Sequence, residues 1–163
     1  MDTPDITFIT TGGTIDKVYF DANSEYQVGD SSIEEIMRLA NATFRWQRTQ
    51  VARKDSLELT DDDRAAIAQA VRDCDTAKIV ITHGTDTMVQ TALALGDVGD
   101  KTIVFTGSMQ PAALRDSDAL FNVGCAVMAV QLQPPGVYVA MNGRVFPADG
   151  VQKNLAERRF EAV

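Results

Sequence analysis

The chain has 163 residues, and a domain of that size buries roughly 70% of its unfolded surface, enough for one core without disulfide or metal staples. Fifteen basic against twenty-three acidic side chains leave a formal charge of −8, which repels phosphate backbones and anionic lipid and argues against nucleic-acid and membrane partners. Apolar runs are of strand length, short of the ~20 residues of a membrane helix, and the stretch Met1-Asp2-Thr3-Pro4-Asp5 has no basic leader, so a cytoplasmic protein is expected.

Ile6-Thr7-Phe8-Ile9-Thr10 is apolar and β-rich and ends at Gly12-Gly13, which predicts a buried strand opening into a tight turn. Val18-Tyr19-Phe20 and Tyr26-Gln27-Val28 flank the turn-forming Asp21-Ala22-Asn23-Ser24 and predict an irregular hairpin or flap. Ser32-Ile33-Glu34-Glu35 has capping-box spacing and opens a helix with Ile33, Ile36, Met37 and Ala40 on one face; Thr60-Asp61-Asp62-Asp63 does the same for a second helix. Between them, Phe44 to Val51 is a weaker strand candidate. Lys78 to Thr82 and Lys101 to Phe105 are apolar at consecutive positions, as strands of a parallel sheet covered on both faces must be. Val137 to Met141 is a further strand, and Asn142-Gly143 before Arg144-Val145-Phe146 signals a type I′ hairpin. Strands alternating with helices give an α/β fold: an open, mostly parallel sheet with helices on both faces, in one domain spanning residues 1–163.

In such sheets, ligands bind beyond the carboxyl ends of the strands. Three loops fall there: Thr10-Thr11-Gly12-Gly13-Thr14, His83-Gly84-Thr85-Asp86-Thr87 and Thr106-Gly107-Ser108-Met109. Each joins glycine, which lets backbone N–H groups approach a ligand, to hydroxyl side chains. Neither phosphate-loop pattern occurs. A threonine taken alone is equally explained as a strand end or a cap; their joint occurrence beside glycine in two loops points to chemistry. A hydroxyl nucleophile needs a base or a cation nearby, and Asp86 adjoins Thr85. Lys153 reads on its own as a surface lysine, one of a basic group with Arg158 and Arg159 on a solvated helix face. It becomes a candidate only if the hairpin before it lies at the same sheet edge. Cys74 and Cys125 lack ligand spacing and read as buried free thiols. A single histidine, His83, leaves no multi-imidazole metal site, while a serine–histidine pair stays open.

Ile9-Thr10-Thr11-Gly12-Gly13-Thr14-Ile15 and Ile81-Thr82-His83-Gly84-Thr85-Asp86-Thr87-Met88 resemble the two signature segments of the bacterial-type L-asparaginase and glutaminase family. The resemblance extends through Tyr26-Gln27-Val28-Gly29, Asp55-Ser56-Leu57-Glu58-Leu59, Thr106 to Met109 and the segment at Lys153. It implies Thr11 as nucleophile on a flap and Tyr26 as its hydrogen-bonded assistant. It further implies a relay of Thr85, Lys153 and Asp86, with Ser56 and Asp86 holding the α-carboxylate and α-ammonium groups of substrate. Gly84 and Ser108 would lie in the substrate-binding loops, with oxyanion donors near Gly12, Gly84 or Thr85.

The reaction so implied is a two-step acyl transfer that hydrolyses the side-chain amide of asparagine, with no metal and no cofactor. Family members usually carry a second, C-terminal domain, and this sequence stops at Val163; the expectation is a single-domain member without that domain, closing its site another way, with the catalytic half of a longer protein as the alternative. A one-domain version exposes the apolar surface its partner domain would cover, which predicts a homodimer or larger homo-oligomer. Two other readings stay open: a catalytically weak amino-acid-binding or regulatory module, and an amidase for another small primary amide such as glutamine.

Overall fold

The computed structural model describes residues 2–22 and 24–163. A six-stranded sheet forms the centre: β1 (Ile6–Gly12), β4 (Trp46–Lys54), β5 (Lys78–Thr82), β6 (Thr102–Thr106), β7 (Gly136–Met141) and β8 (Arg144–Pro147), in the order β4-β1-β5-β6-β7-β8. All pairs are parallel except β7 with β8. Every residue of β1 is buried, as its place inside the sheet requires, whereas β4 at the edge is largely exposed or half-buried. The strand predicted weakly over 44–51 thus begins and ends slightly later, and the polar residues to Lys54 continue it.

Helices cover both faces. On one side α2 (Asp61–Asp73) and α3 (Met88–Ala94) place Ile67, Val71, Met88 and Ala92 against Ile9, Ile79, Ile81 and Phe105. On the other, α1 (Ile33–Leu39) and α4 (Ala119–Leu132) place Ile33, Ile36, Val123 and Val130 against Phe8, Val80 and Val104. Alternation along each strand sends neighbouring side chains to opposite cores, so the unbroken apolar runs are what two-sided burial demands. No helix among the described residues is long and apolar enough to cross a membrane.

Two predicted caps diverge. Thr60 forms the full capping box with Asp63 at the start of α2. Ser32 forms none: its hydroxyl and its N–H both donate to the Asp16 carboxylate, at 2.7 and 2.9 Å. Asp16 is buried, and a buried carboxylate left without donors is costly, so the tertiary contact takes precedence over the local cap.

The flap is the antiparallel pair β2 (Lys17–Phe20) and β3 (Glu25–Val28). Asn23, part of the turn predicted between them, lies outside the described residues. The Asn142-Gly143 turn has positive φ at both positions, 56° and 73°, as a type I′ hairpin requires. The C-terminal basic group corrects the sequence reading. Lys153 and Arg159 belong not to a helix but to a second antiparallel pair, β9 (Val151–Asn154) and β10 (Arg159–Ala162), and Arg158 lies in the turn that joins them. Val151 and Phe160 anchor it in the α2/α3 core, a two-strand alternation that charge spacing alone does not reveal. Cys74 and Cys125 are free thiols, half-buried rather than fully so.

Candidate active site

From β1 the chain passes through α1 to reach β4 on one side; from β5 it passes through α3, on the opposite face, to reach β6 on the other. The carboxyl ends of β1 and β5 therefore flank a switch point, where the two connections part and leave a crevice. Register aligns Thr10, Thr82 and Thr106 side by side, so the three glycine–hydroxyl loops leave the sheet at one level.

These loops interlock by backbone contact. A Cβ on Gly13 would lie 2.4 Å from the Gly84 nitrogen, and φ there is +88°. A Cβ on Gly84 would lie 2.5 Å from Cβ of Ser56, in the turn after β4. Only glycine lets the Thr11 turn, the Thr85 loop and the Ser56 turn approach so closely. Ser56 is buried, and its carbonyl accepts from the Thr87 hydroxyl at 3.0 Å.

Lys153 reaches this crevice from β9. Its Nζ donates to Thr85 Oγ1 at 2.8 Å and to the Asp86 carboxylate at 2.7 Å. Thr85 is buried and the lysine side chain is 16% exposed, so the ammonium is screened from bulk water on most sides. The structure thus assembles a hydroxyl and a carboxylate from the loop after β5 and an amine from β9, distant in sequence. Among the described residues, the Gly84 and Thr85 N–H groups donate to no protein acceptor. No cluster of His, Cys, Asp or Glu suited to hold a metal ion occurs among them.

Thr11, at the end of β1, is fully buried, and its hydroxyl donates to the Thr82 carbonyl at 2.8 Å. Tyr26 is not brought to it. That side chain is 49% exposed on the flap, with its ring edge-on to Tyr19 at 5.5 Å. Ser108 is buried near the crevice, but its hydroxyl donates to the Gln110 carbonyl, and Asp118 fastens the same loop by accepting from the Met109 and Gln110 N–H groups. Its hydroxyl serves the loop in this arrangement.

His83 holds a structural place. It is fully buried, with Nδ1 2.7 Å from the Gly84 carbonyl and Nε2 2.8 Å from Thr91 Oγ1. It thereby ties the Thr85 loop to α3, and among the described residues no serine partners it. Sequence reasoning weighed His83 as a catalytic group and missed this bracing role, which no local pattern signals.

Burial lowers the His83 pKa to about 4, against an ordinary 6.5. Between those values the unfolded chain takes up a proton that the folded chain refuses. Stability therefore falls as pH drops from about 6.5 to about 4, by about 3 kcal/mol in all. Asp16, whose carboxyl burial pushes up, acts in the opposite sense. It is common to both proteins when the parent is compared with His83→Gln. Urea unfolding across that range is expected to show the parent losing stability relative to the variant as pH falls; parallel curves would refute a neutral buried imidazole.

Residues 5–162 match the family model described as the N-terminal domain of asparaginase. The chain is 35% identical over 167 residues to the probable periplasmic L-asparaginase of Haemophilus influenzae, covering 93% of this chain and 47% of that protein. It is 34% identical to L-asparaginase 2 of Escherichia coli, covering 92% and 46%. Among solved structures, the thermostable L-asparaginase from Thermococcus kodakarensis superposes with a TM-score of 0.84 at 27% identity, over 97% of this chain and 51% of that one. The chain spans about half the length of the curated relatives it matches. By its sequence match and its fold, this chain belongs to the asparaginase family and corresponds to that family's N-terminal domain.

Proposed function

We propose that the domain is an amidohydrolase that converts L-asparagine to L-aspartate and ammonia through a threonyl ester. The observation that carries this reading is Lys153, bridging Thr85 and Asp86 in a loop that packs directly on the Thr11 turn. Thr11 Oγ1 attacks the side-chain amide carbon, the amide nitrogen leaves as ammonia, and water then cleaves the ester. The Thr85–Lys153–Asp86 cluster moves the protons these steps require. The free N–H groups of Gly84 and Thr85 are suited to the oxyanion, where one donor is typically worth ~3–4 kcal/mol. Ser56 and Asp86 take the α-carboxylate and α-ammonium groups. For attack, the Thr11 hydroxyl must leave the Thr82 carbonyl, and the flap must bring Tyr26 inward, a lid motion of the kind that gates many enzymes.

A second reading is favoured by the same two features. With Thr11 bonded to a carbonyl and Tyr26 turned outward, the domain would be an amino-acid-binding module of low activity. Ammonia release from asparagine and glutamine at equal concentration separates the cases. Asparagine is expected to be faster. Faster release from glutamine would overturn the substrate, and aspartate binding by calorimetry with no ammonia over hours would favour the binding module.

The assembly we infer is a homodimer. The outer side of α4 carries exposed Leu120, Phe121, Met128 and Leu132, and the helix has no charged residue. A second copy related by a two-fold axis meets that face with the same apolar surface. Light scattering at micromolar concentration is expected to report twice the chain mass, and a fully active monomer would refute it.

A further inference from the structure

Arg53 and Lys54 end β4, Asp55 follows just before Ser56, and several parts of the site rest on this segment. The Gly13 N–H donates to the Lys54 carbonyl at 2.9 Å. Lys17, the first residue of β2, pairs with Asp55 at 2.7 Å, with side chains 26% and 28% exposed. Arg53 donates to the Val28 carbonyl at 3.2 Å and pairs with Asp30 at 2.9 Å, which ties down the end of β3. Asp55 also accepts from the Leu57 N–H at 3.1 Å, so its carboxylate shapes the turn that contains Ser56. Both flap strands are thus tethered to the residues that aim Ser56.

The two tethers differ in strength. Arg53 and Asp30 are 48% and 94% exposed, so water and salt screen their pair heavily. The Lys17–Asp55 pair is largely shielded, and the ammonium, its strongest influence, holds the Asp55 carboxyl below the usual carboxylate range. Beyond this base the flap has little to hold it: Val18, Tyr19, Phe20 and Tyr26 are all exposed. Removing the lysine charge would leave the flap only its more exposed Arg53 tether and would release one of the two contacts that fix the Asp55 side chain.

We propose that Lys17 is a positioning residue of this site: its ion pair with Asp55 couples the flap to the orientation of the Ser56 turn and so sets affinity for the substrate carboxylate. The coupling stands on the geometry alone, while the identity of the carboxylate rests on the function proposed above. Lys17 touches no reacting atom in this scheme and acts through Asp55.

The test compares the full chain with Lys17→Met, Lys17→Arg and Asp55→Asn. Hydrogen exchange without ligand is expected to quicken about two- to fivefold in residues 17–28 and 56–59 together in Lys17→Met, the size of effect a partly exposed ion pair supports. Asp55→Asn should loosen the flap, to which it does not belong, and Lys17→Arg should restore protection in both segments. KM for asparagine should rise by a similar factor in Lys17→Met, with kcat changed less, and return in Lys17→Arg. Quickening confined to the flap would overturn the coupling. So would quickening that spreads evenly through α2 and β6, which would mark general destabilisation. A KM unchanged in an active Lys17→Met protein would overturn the role in affinity. If the parent neither releases ammonia nor binds aspartate, the proposed function fails, and ligand-free exchange still decides the coupling.

Discussion

Under the proposed function, Thr11→Ala is expected to lower kcat by about 10³-fold or more while KM changes little, because the variant would keep the binding groups and lose the proposed attacking oxygen. The hydroxyl is fully buried and donates to the Thr82 carbonyl. Its removal therefore also has a structural cost, about 1 kcal/mol for a single hydrogen bond. That cost changes the melting temperature, and by itself would leave any turnover by the folded protein nearly intact. Thr11→Ser keeps the oxygen but loses the β-branch that restricts the rotamer, so it should retain measurable turnover. Steady-state kinetics of both variants beside their melting temperatures separate the two accounts. A folded Thr11→Ala protein with near-parental kcat would remove Thr11 as the nucleophile.

The second large effect is expected at Lys153. In Lys153→Met the Asp86 carboxylate and the Thr85 hydroxyl lose their shared donor, and kcat should fall by roughly 10²- to 10⁴-fold, the usual contribution of a positioned acid–base group. Lys153→Arg discriminates between two roles. Arginine keeps the positive charge but does not give up its proton in proteins. If the amine transfers a proton, the arginine variant is as impaired as the methionine one; if it only holds Asp86 and Thr85 in place, much of the activity returns. Activity of Lys153→Met within threefold of the parent would take the lysine out of the mechanism.

Much of the architecture is legible in the amino-acid sequence. The runs at 6–10, 78–82 and 101–105 carry apolar residues at consecutive positions, Phe8-Ile9, Ile79-Val80-Ile81 and Ile103-Val104-Phe105, the pattern that strands buried on both faces show, and they form β1, β5 and β6. Because loops after parallel strands converge, the glycine–hydroxyl segments at Thr11 and Thr85 were placed together from topology alone. Asn142-Gly143 specified its own turn, since the φ > 0 it needs at both positions is a local property.

What the sequence by itself determined, then, is what short-range chemistry encodes: periodicity, turn residues, the Thr60 cap and the family motifs. The tertiary structure decided whatever depends on partners far along the chain. Ser32 has the local form of a cap, yet burial of Asp16 redirects its donors. Lys153 reads as a surface charge until strand order carries β9 to the carboxyl end of β5, where Thr85 lies 68 residues away in sequence. Tyr26 and Lys17 sit in one hairpin, and nothing local says which of them faces solvent and which pairs with Asp55. A strand's own alternation fixes only that its neighbouring side chains point to opposite sides. Which side meets protein is set by the packing of other elements, and that information resides in no single segment.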